Sequence, residues 1–332
     1  MISLAYRVML SKFGLNKFPF KLTYGITSKC DSHCKTCHVW KQPIKDELTT
    51  KEIFQFFKKN SFPWINLTGG EIFLRDDIDK IFTIISKTQK QLYLFNFTTN
   101  CSQPKLIYDN VKSLLKKYKG RLIISLSVDG PEEKHDELRG TIGNFKNVIE
   151  TYKLLSKLKR AELYFSITVS DFNIKFVNQI YPALKKHLPK LKFNQLHLNP
   201  VENCFFHNIK DNVKIDYRPV IKEFLRKRKF SLSPFWLLEN LFYKKMIKFY
   251  SEKKYPYKKT SAVKDSIYIN ATGTVFPLTT CERKLGNLRD VDFKLKKIIK
   301  KYPNLNKTIL KKCHHAWTAC EAYVSLMREF PL

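Results

Sequence analysis

Between residues 21 and 200, short apolar runs alternate with longer stretches whose apolar residues recur every three to four positions. The short runs predict strands at 21–27 (KLTYGIT), 64–68 (WINLT), 92–99 (LYLFNFTT), 121–129 (RLIISLSVD), 162–170 (ELYFSITVS) and 193–200 (FNQLHLNP). Helical periodicity covers 50–60, 76–88, 104–118, 143–158 and 172–187. Thr49 and Glu52 have the spacing of a capping box, in which each residue satisfies a backbone N–H of the other. Asp76 is placed to cap the second helix, whose Ile78, Ile81, Phe82 and Ile85 fall on one face. Strand then helix repeats six times, at intervals of roughly 30–40 residues. Such a repeat predicts an α/β fold of parallel strands with right-handed crossovers, an open or closed βα barrel. Chemistry in such a barrel sits at the C-terminal ends of the strands.

Past residue 205 the pattern changes. Residues 222–259 hold twelve Lys or Arg, three acids and ten aromatics, and FWLLENLFYKKMIKFY within them predicts a basic amphipathic helix. SIYINATGTVFPL predicts a hairpin turning at ATG, with helices after it near 292–301 and 314–329. The expected division is an amphipathic segment over 1–20, a barrel core over 21–205, a basic aromatic-rich helical segment over 206–262 and a small α+β C-terminal extension over 263–332. In the first segment Leu4, Val8, Leu10, Phe13 and Leu15 stand among Arg7, Lys12 and Lys17. This segment and 222–259 suit docking on a membrane surface. They equally suit ordinary helix packing, with Lys stems covering apolar surface.

Composition narrows the setting. A chain of 332 residues, 43% hydrophobic, buries a sizeable core in one large domain plus an appendage. No apolar run approaches the ~18 residues a spanning helix needs. Arg7 interrupts the N-terminal run, so no signal peptide is expected and the cytoplasm is the expected compartment, with membrane association as an option. There the eight cysteines are expected reduced, and clustered ones read as metal ligands rather than disulfides. The net charge is +32, from 50 Lys and 11 Arg against 29 acids. That suits a polyanionic partner, nucleic acid or anionic lipid. It also suits a plain solvated Lys surface, and nucleic-acid readers favour Arg more than this, which makes nucleic acid the less favoured partner.

The densest chemistry is KCDSHCKTCHVW, where Cys30, Cys34 and Cys37 follow the first strand as C-x3-C-x2-C. Three thiolates can hold three irons of a 4Fe–4S cluster and leave the fourth iron open to chelate an amine and a carboxylate. Structural zinc wants a fourth protein ligand, which His33 or His38 could supply. Other strand ends carry groups suited to a small ligand. Gly69 and Gly70 let backbone approach closely, and Glu71 can accept from an ammonium. Thr99 and Asn100 end the third strand in TTNC. Ser127 and Asp129 could bond ribose hydroxyls, and Arg139 could pair with a carboxylate. TVSDFN ends the fifth strand.

Taken together these motifs resemble the radical S-adenosylmethionine (SAM) superfamily over roughly 20–200. The matching elements are the Cys30–Cys34–Cys37 triad, Gly69–Gly70–Glu71, Thr98–Thr99–Asn100 and Ser127-x-Asp129–Gly130 followed by Arg139–Gly140. The resemblance implies a partial (β/α)6 TIM-like barrel and a 4Fe–4S cluster reduced by an external one-electron donor of ferredoxin or flavodoxin type. It implies cleavage of SAM to methionine and a 5′-deoxyadenosyl radical that abstracts a hydrogen atom from substrate. It places the methionyl amine on Gly69, Gly70 and Glu71, the carboxylate on Arg139, and the ribose near Ser127 and Asn173. His135 is read as a helix-face residue. Two positions depart from the family pattern. Thr36 stands where many members carry an aromatic, so that Trp40 either stacks on adenine or packs the barrel. Cys101 replaces the glycine of TTNG, as a thiol hydrogen donor or, preferably, an inert turn residue.

The tail INATGTVFPLTTCERKLGNL…CHHAWTACEAY resembles the auxiliary-cluster (SPASM/twitch-like) domain of many such enzymes. Leu278 and Ala316 stand where two cysteines are expected. Either Cys281, Cys313 and Cys320, with His314 or His315, hold a second, rearranged Fe–S cluster, or the scaffold has lost its metal, which is the preferred reading. Members with this tail commonly modify peptides or proteins, and lipid is the other candidate substrate. Rival readings are an RNA-modifying radical SAM enzyme and a non-catalytic zinc- and nucleic-acid-binding protein. The second leaves the GGE, TTN and SxDG strand ends without a role.

Overall fold

The computed structural model describes residues 2–202, 215–257, 261–302, 313 and 317–329. Six strands, β1 (Lys21–Thr27), β2 (Trp64–Gly69), β3 (Leu94–Thr99), β4 (Arg121–Ser127), β5 (Ala161–Val169) and β6 (Leu196–Pro200), pair in chain order and in parallel. The connecting helices are α2 (Thr50–Lys59), α3 (Ile78–Thr88), α4 (Pro104–Lys117), α5 (Glu132–Arg139), α6 (Asn144–Leu155) and α7 (Val177–His187), with α1 (Ile2–Lys12) before β1. β6 does not return to β1, so the barrel is open.

The free edge of β1 is covered by the C-terminal region. β7 (Ser266–Ile269) pairs with β1 in parallel, and β8 (Thr274–Phe276) and β9 (Gly286–Asn287) continue antiparallel, giving the nine-strand order β6-β5-β4-β3-β2-β1-β7-β8-β9. The expected hairpin is therefore present, and it extends the main sheet. Pairing with β1 satisfies a row of backbone groups that an open edge would leave exposed.

Local sequence accounts for most elements. Thr49 accepts from the Glu52 N–H and Glu52 accepts from the Thr49 N–H at 2.9 Å, the expected capping box. Leu22, Tyr24 and Ile26 of β1 point outward and are buried with Ile53, Phe56 and Phe57 of α2. Each fully buried side chain of this size contributes about 2–3 kcal/mol. Asp76 is not the cap of α3. Asp77 holds that position, and its carboxylate bonds Arg75 and Thr50 instead of the helix. The expected helix over 172–187 begins only at Val177, because Asn173 is drawn into the strand ends. α5 has no periodic signal, since only His135 and Leu138 are buried on it.

The two faces of the sheet differ. Outward positions are buried under helices, whereas inward ones such as Asn96, Thr98, Tyr164, Ser166, His197 and Asn199 remain partly exposed. The concave face therefore lines a polar, water-accessible chamber. α8 (Arg218–Lys227), α9 (Pro234–Glu252), α10 (Leu295–Lys300) and α11 (Ala319–Glu329) follow, and α9 packs against α8 and α11. α9 contains the basic aromatic run, yet Phe242, Tyr243, Met246 and Phe249 are buried in the core. In the same stretch Phe230, Leu232 and Leu237 are exposed, so packing takes up only part of its apolar surface. α1 is divided: Leu4 and Val8 are buried with Phe20, Trp64 and Val324, while Tyr6, Met9, Phe13 and Leu15 are exposed. No helix among the described residues is long and apolar enough to cross a membrane.

Candidate active site at the strand ends

The cysteine loop leaves β1 at Thr27, and its stem is clamped from several sides. Glu47 accepts from the Ser28 N–H at 2.6 Å and from the Thr27 hydroxyl at 3.1 Å. Arg75 lies 3.6 Å from Glu47 and donates to the Ile26 carbonyl at 2.7 Å. Gly69 and Gly70 lie against the same stem. A Cβ on Gly69 would sit 2.2 Å from the Thr27 carbonyl oxygen, and one on Gly70 2.1 Å from that of Lys29. The glycines thus let two pieces of backbone meet.

The strand-end polar residues form one buried network. Glu71 accepts from the Asn100 N–H at 2.6 Å, the Thr99 hydroxyl at 3.1 Å and the Phe73 N–H at 3.2 Å. A carboxylate has about four acceptor sites, so about one is left over. Burial pushes the Glu71 carboxyl up to about 7. Asn100 donates to Asp31 at 2.6 Å and to Ser32 at 2.8 Å, fixing the cysteine loop to the end of β3. Asp129 accepts from the Thr168 N–H at 2.8 Å, and Asn173 donates to the carbonyls of Asp129 and Thr168 at 2.8 and 2.7 Å. Thr99 faces the helix side of β3 while Thr98 faces the chamber. Glu71, Thr99, Asn100 and Asn173 thus tie neighbouring strand ends together, and Glu71 keeps an acceptor site for a ligand group. Ser127 faces the chamber at the end of β4, in register with Ser166.

Arg139 differs from these. Its guanidinium donates to Asp129 at 3.0 Å and is 12% exposed, and its Nε is buried with no partner among the described residues. Burial opposes its charge, yet Cys34, Asp129, Cys30 and Cys37 around it hold its pKa above the ordinary value. Conversely, burial pushes the Cys30 thiol up to about 12 and the Cys34 thiol up to about 11. Thiols ligate as thiolates, so metal binding here must release protons. None of the three cysteines is in a disulfide, and they share the loop that lies against the end of α5 carrying Arg139. Among the described residues no group of three or more His, Cys, Asp or Glu is gathered as for a single metal ion. A 4Fe–4S cluster takes one thiolate on each of three irons, which the three cysteines of this loop can supply. The orphaned Arg139 Nε suits a carboxylate beside it.

Several positions fall elsewhere. Cys101 is buried in the left-handed region at φ +66°, and burial pushes its thiol up, which fits an inert turn residue. Trp40 packs on the His33 ring at 4.6 Å. His135 is buried: its Nδ1 accepts from the Asp129 N–H at 3.1 Å and its Nε2 donates to Asn144 at 2.7 Å. Cys281 and Cys313 form a disulfide with Cα atoms 5.0 Å apart, against the expectation of reduced cysteines. Cys320 lies apart, its sulfur 3.8 Å from Asn66 Nδ2 and its carbonyl bonded by Lys21. His314 and His315, the other candidate ligands, lie outside the described residues. Asp31, Glu47 and Arg75 carry no sequence signal, because Asp31 meets the Asn100 side chain and Glu47 and Arg75 meet backbone and side-chain groups of other segments, which no spacing records.

A partial parallel βα barrel with a three-thiol loop at its strand ends defines the class. Residues 24–174 match the radical SAM superfamily, and this part of the chain belongs to it. The family uses a 4Fe–4S cluster and SAM. Over 166 residues the chain is 24% identical to the sporulation killing factor maturation protein SkfB of Bacillus subtilis (strain 168), covering 49% of this chain and 38% of that protein. Over 167 residues it is 27% identical to the GTP 3′,8-cyclase of Aquifex aeolicus (strain VF5), covering 47% and 48%. The matches span less than half the length of these curated relatives. In structure the chain resembles native anSMEcpe with bound AdoMet (TM-score 0.56, 17% identity, 94% of this chain and 95% of that one) and Streptococcus suis SuiB (TM-score 0.59, 16% identity, 89% and 68%). These structural likenesses show the fold.

Proposed function

We propose that this chain is a radical SAM enzyme acting on a peptide or protein. The observation that carries the reading is Arg139, a largely buried guanidinium where α5 meets the cysteine loop, paired with Asp129 and left with an unpaired Nε. Cys30, Cys34 and Cys37 would hold the cluster, and Arg139 the SAM carboxylate. The remaining acceptor site of Glu71 and the backbone at Gly69–Gly70 would take the amine, with Ser127 and Asp129 near the ribose. When bound and reduced by an external donor of ferredoxin or flavodoxin type, the cluster supplies one-electron cleavage of SAM and the 5′-deoxyadenosyl radical. The chain's own part is to fix the loop, pair the carboxylate and present the chamber to a substrate C–H bond.

A peptide is favoured over a lipid on two grounds. Phe242, Tyr243, Met246 and Phe249 of the basic aromatic run are used in packing. The relatives include a maturation protein, and similar folds include SuiB bound to precursor peptide SuiA and anSMEcpe bound to the Cp18Cys peptide. Anaerobic reconstitution tests the reading. The wild type should be brown, hold about four irons per chain as one open cluster, and release 5′-deoxyadenosine from SAM with dithionite. The Cys30→Ala/Cys34→Ala/Cys37→Ala variant should do neither. A colourless wild type that retains zinc and releases nothing overturns it. A second reading, peripheral membrane association, draws on exposed Tyr6, Met9, Phe13 and Leu15. Cosedimentation with anionic vesicles, lost in Phe13→Ser/Leu15→Ser, tests it.

A further inference from the structure

The chamber contains a polar cluster away from the strand-end network. His197 is the second residue of β6 and faces inward. Glu239 of α9, 2% exposed, stands 3.1 Å from His197 Nδ1 through Oε1. The other carboxylate oxygen accepts from Arg228, whose side chain is 1% exposed. The Tyr243 hydroxyl accepts from the Leu198 N–H at 2.9 Å and lies 3.3 Å from His197 Nδ1. The Tyr323 hydroxyl of α11 lies 3.4 Å from Nδ1 and 3.5 Å from Glu239 Oε1. Among the described residues, the polar neighbours of the ring are thus gathered at Nδ1. Nε2 has no partner among the described residues, and the side chain keeps 14% of its surface exposed.

This arrangement sets the tautomer. A bare Nδ1 would point a lone pair at a carboxylate oxygen 3.1 Å away. A protonated Nδ1 donates to it instead, and the second ring nitrogen is then an acceptor. Arg228 on the opposite oxygen fixes the carboxylate in place. The tyrosines are not competing bases, since burial raises Tyr243 and Tyr323 well above their ordinary range.

Register locates the open nitrogen. Ser127 pairs with Ser166, and Ser166 with His197, so the three stand in one row across the chamber face. Two strand spacings separate His197 from Ser127, about 10 Å. A ligand held at Ser127, Asp129 and Arg139 would thus lie about two strand spacings from His197 along the same face.

We propose that His197 is the proton acceptor of the chamber. Its Nε2 takes a proton from a substrate N–H or O–H, and Glu239 and Arg228 act as positioning residues. In the transfer the substrate X–H bond breaks, its electron pair stays on X, and Nε2–H forms. The new positive charge lies against Glu239, and no oxidant or reductant is required. The assignment rests on the proposed enzyme reading for the chemistry it serves, but its test needs no SAM turnover.

The test uses the reconstituted full chain with 15N-labelled histidine, of which there are eight, the His197 resonances being assigned by their loss in His197→Gln. The wild type should show Nδ1–H and a bare Nε2, and Glu239→Gln should shift the tautomer. Diethyl pyrocarbonate, which acylates a bare imidazole nitrogen, should modify His197 in the wild type, followed by peptide mass spectrometry. In Glu239→Gln the bare nitrogen would face the protein, and modification should slow about tenfold. An Nε2–H tautomer in the wild type, or a His197 that resists the reagent, overturns the proposal. If 5′-deoxyadenosine release fails while both readouts hold, the enzyme reading has failed and the geometry of His197 stands.

Discussion

The molecule carries two groups of three cysteines. Cys30, Cys34 and Cys37 lie within eight positions on one loop, clamped by Glu47, Arg75, Asn100 and the close approach of Gly69 and Gly70. Cys281, Cys313 and Cys320 spread over 40 positions; two are joined to each other and the third faces the chamber side of β1 and β2. A short loop brings its ligands together at little entropic cost, and the fold then has only to hold it. Ligands from distant segments must be brought together by tertiary packing. In the tail that packing places Cys320 beside Lys21 and Asn66 instead.

This contrast can be broken at its strongest point first. Gly70→Ala would press a methyl group onto the Lys29 carbonyl, where only backbone can yield. It should cost at least about 4 kcal/mol, read as a fall of many degrees in the melting temperature and a failure to take up iron. Arg139→Met leaves the loop in place but removes the carboxylate partner. SAM affinity should fall about 10–100-fold, the value of a charge-assisted pair at 1.5–3 kcal/mol, while iron content stays near the wild type in equilibrium dialysis. Asn100→Ala unties the loop from β3 and leaves Asp31 unpaired by it. A loss of about 2 kcal/mol in chemical denaturation is expected.

The tail should behave otherwise. In Cys281→Ser/Cys313→Ser the iron content should be unchanged, and reduction of the wild type should destabilise it by at most about 3–4 kcal/mol for a closed loop of this length. A second set of about four irons in the wild type, lost in this variant, would give the tail the role its geometry lacks here. The smallest expected effect is at Glu52, which Arg289 from the C-terminal region bonds at 2.6 Å and pulls down to about 2. A depressed carboxylate stabilises above its unfolded pKa, and this contribution is lost as pH falls from about 4.5 toward 2. The pair is partly exposed, so the effect should stay under about 1 kcal/mol. Arg289→Ala should flatten this part of the acid-stability profile.

Much of the barrel was legible because its signals are local. The strand KLTYGIT spans the same residues in sequence and structure, and Thr49–Glu52 forms the expected capping box. α5 carries no periodic signal because it buries only two side chains, and Asp76 has the place of a cap in the sequence because nothing local shows Arg75 and Thr50 drawing in Asp77. The rim residues were found by type, but what each one bonds was not readable. Glu71, Asn100 and Asn173 meet backbone donors and acceptors from other strands, and a motif does not record where those lie.

By itself the sequence determined the alternation of strands and helices, the parallel half-barrel that follows from it, and the three-thiol loop at the end of β1. Each depends on periodicity or spacing within about ten residues. Only the tertiary structure decided that β7 closes the edge of β1, that the tail cysteines part company, and that His197, Glu239 and Arg228 meet in the chamber. Those contacts join residues 11 to 245 positions apart, and only burial of the sheet's two faces against different partners brings them together.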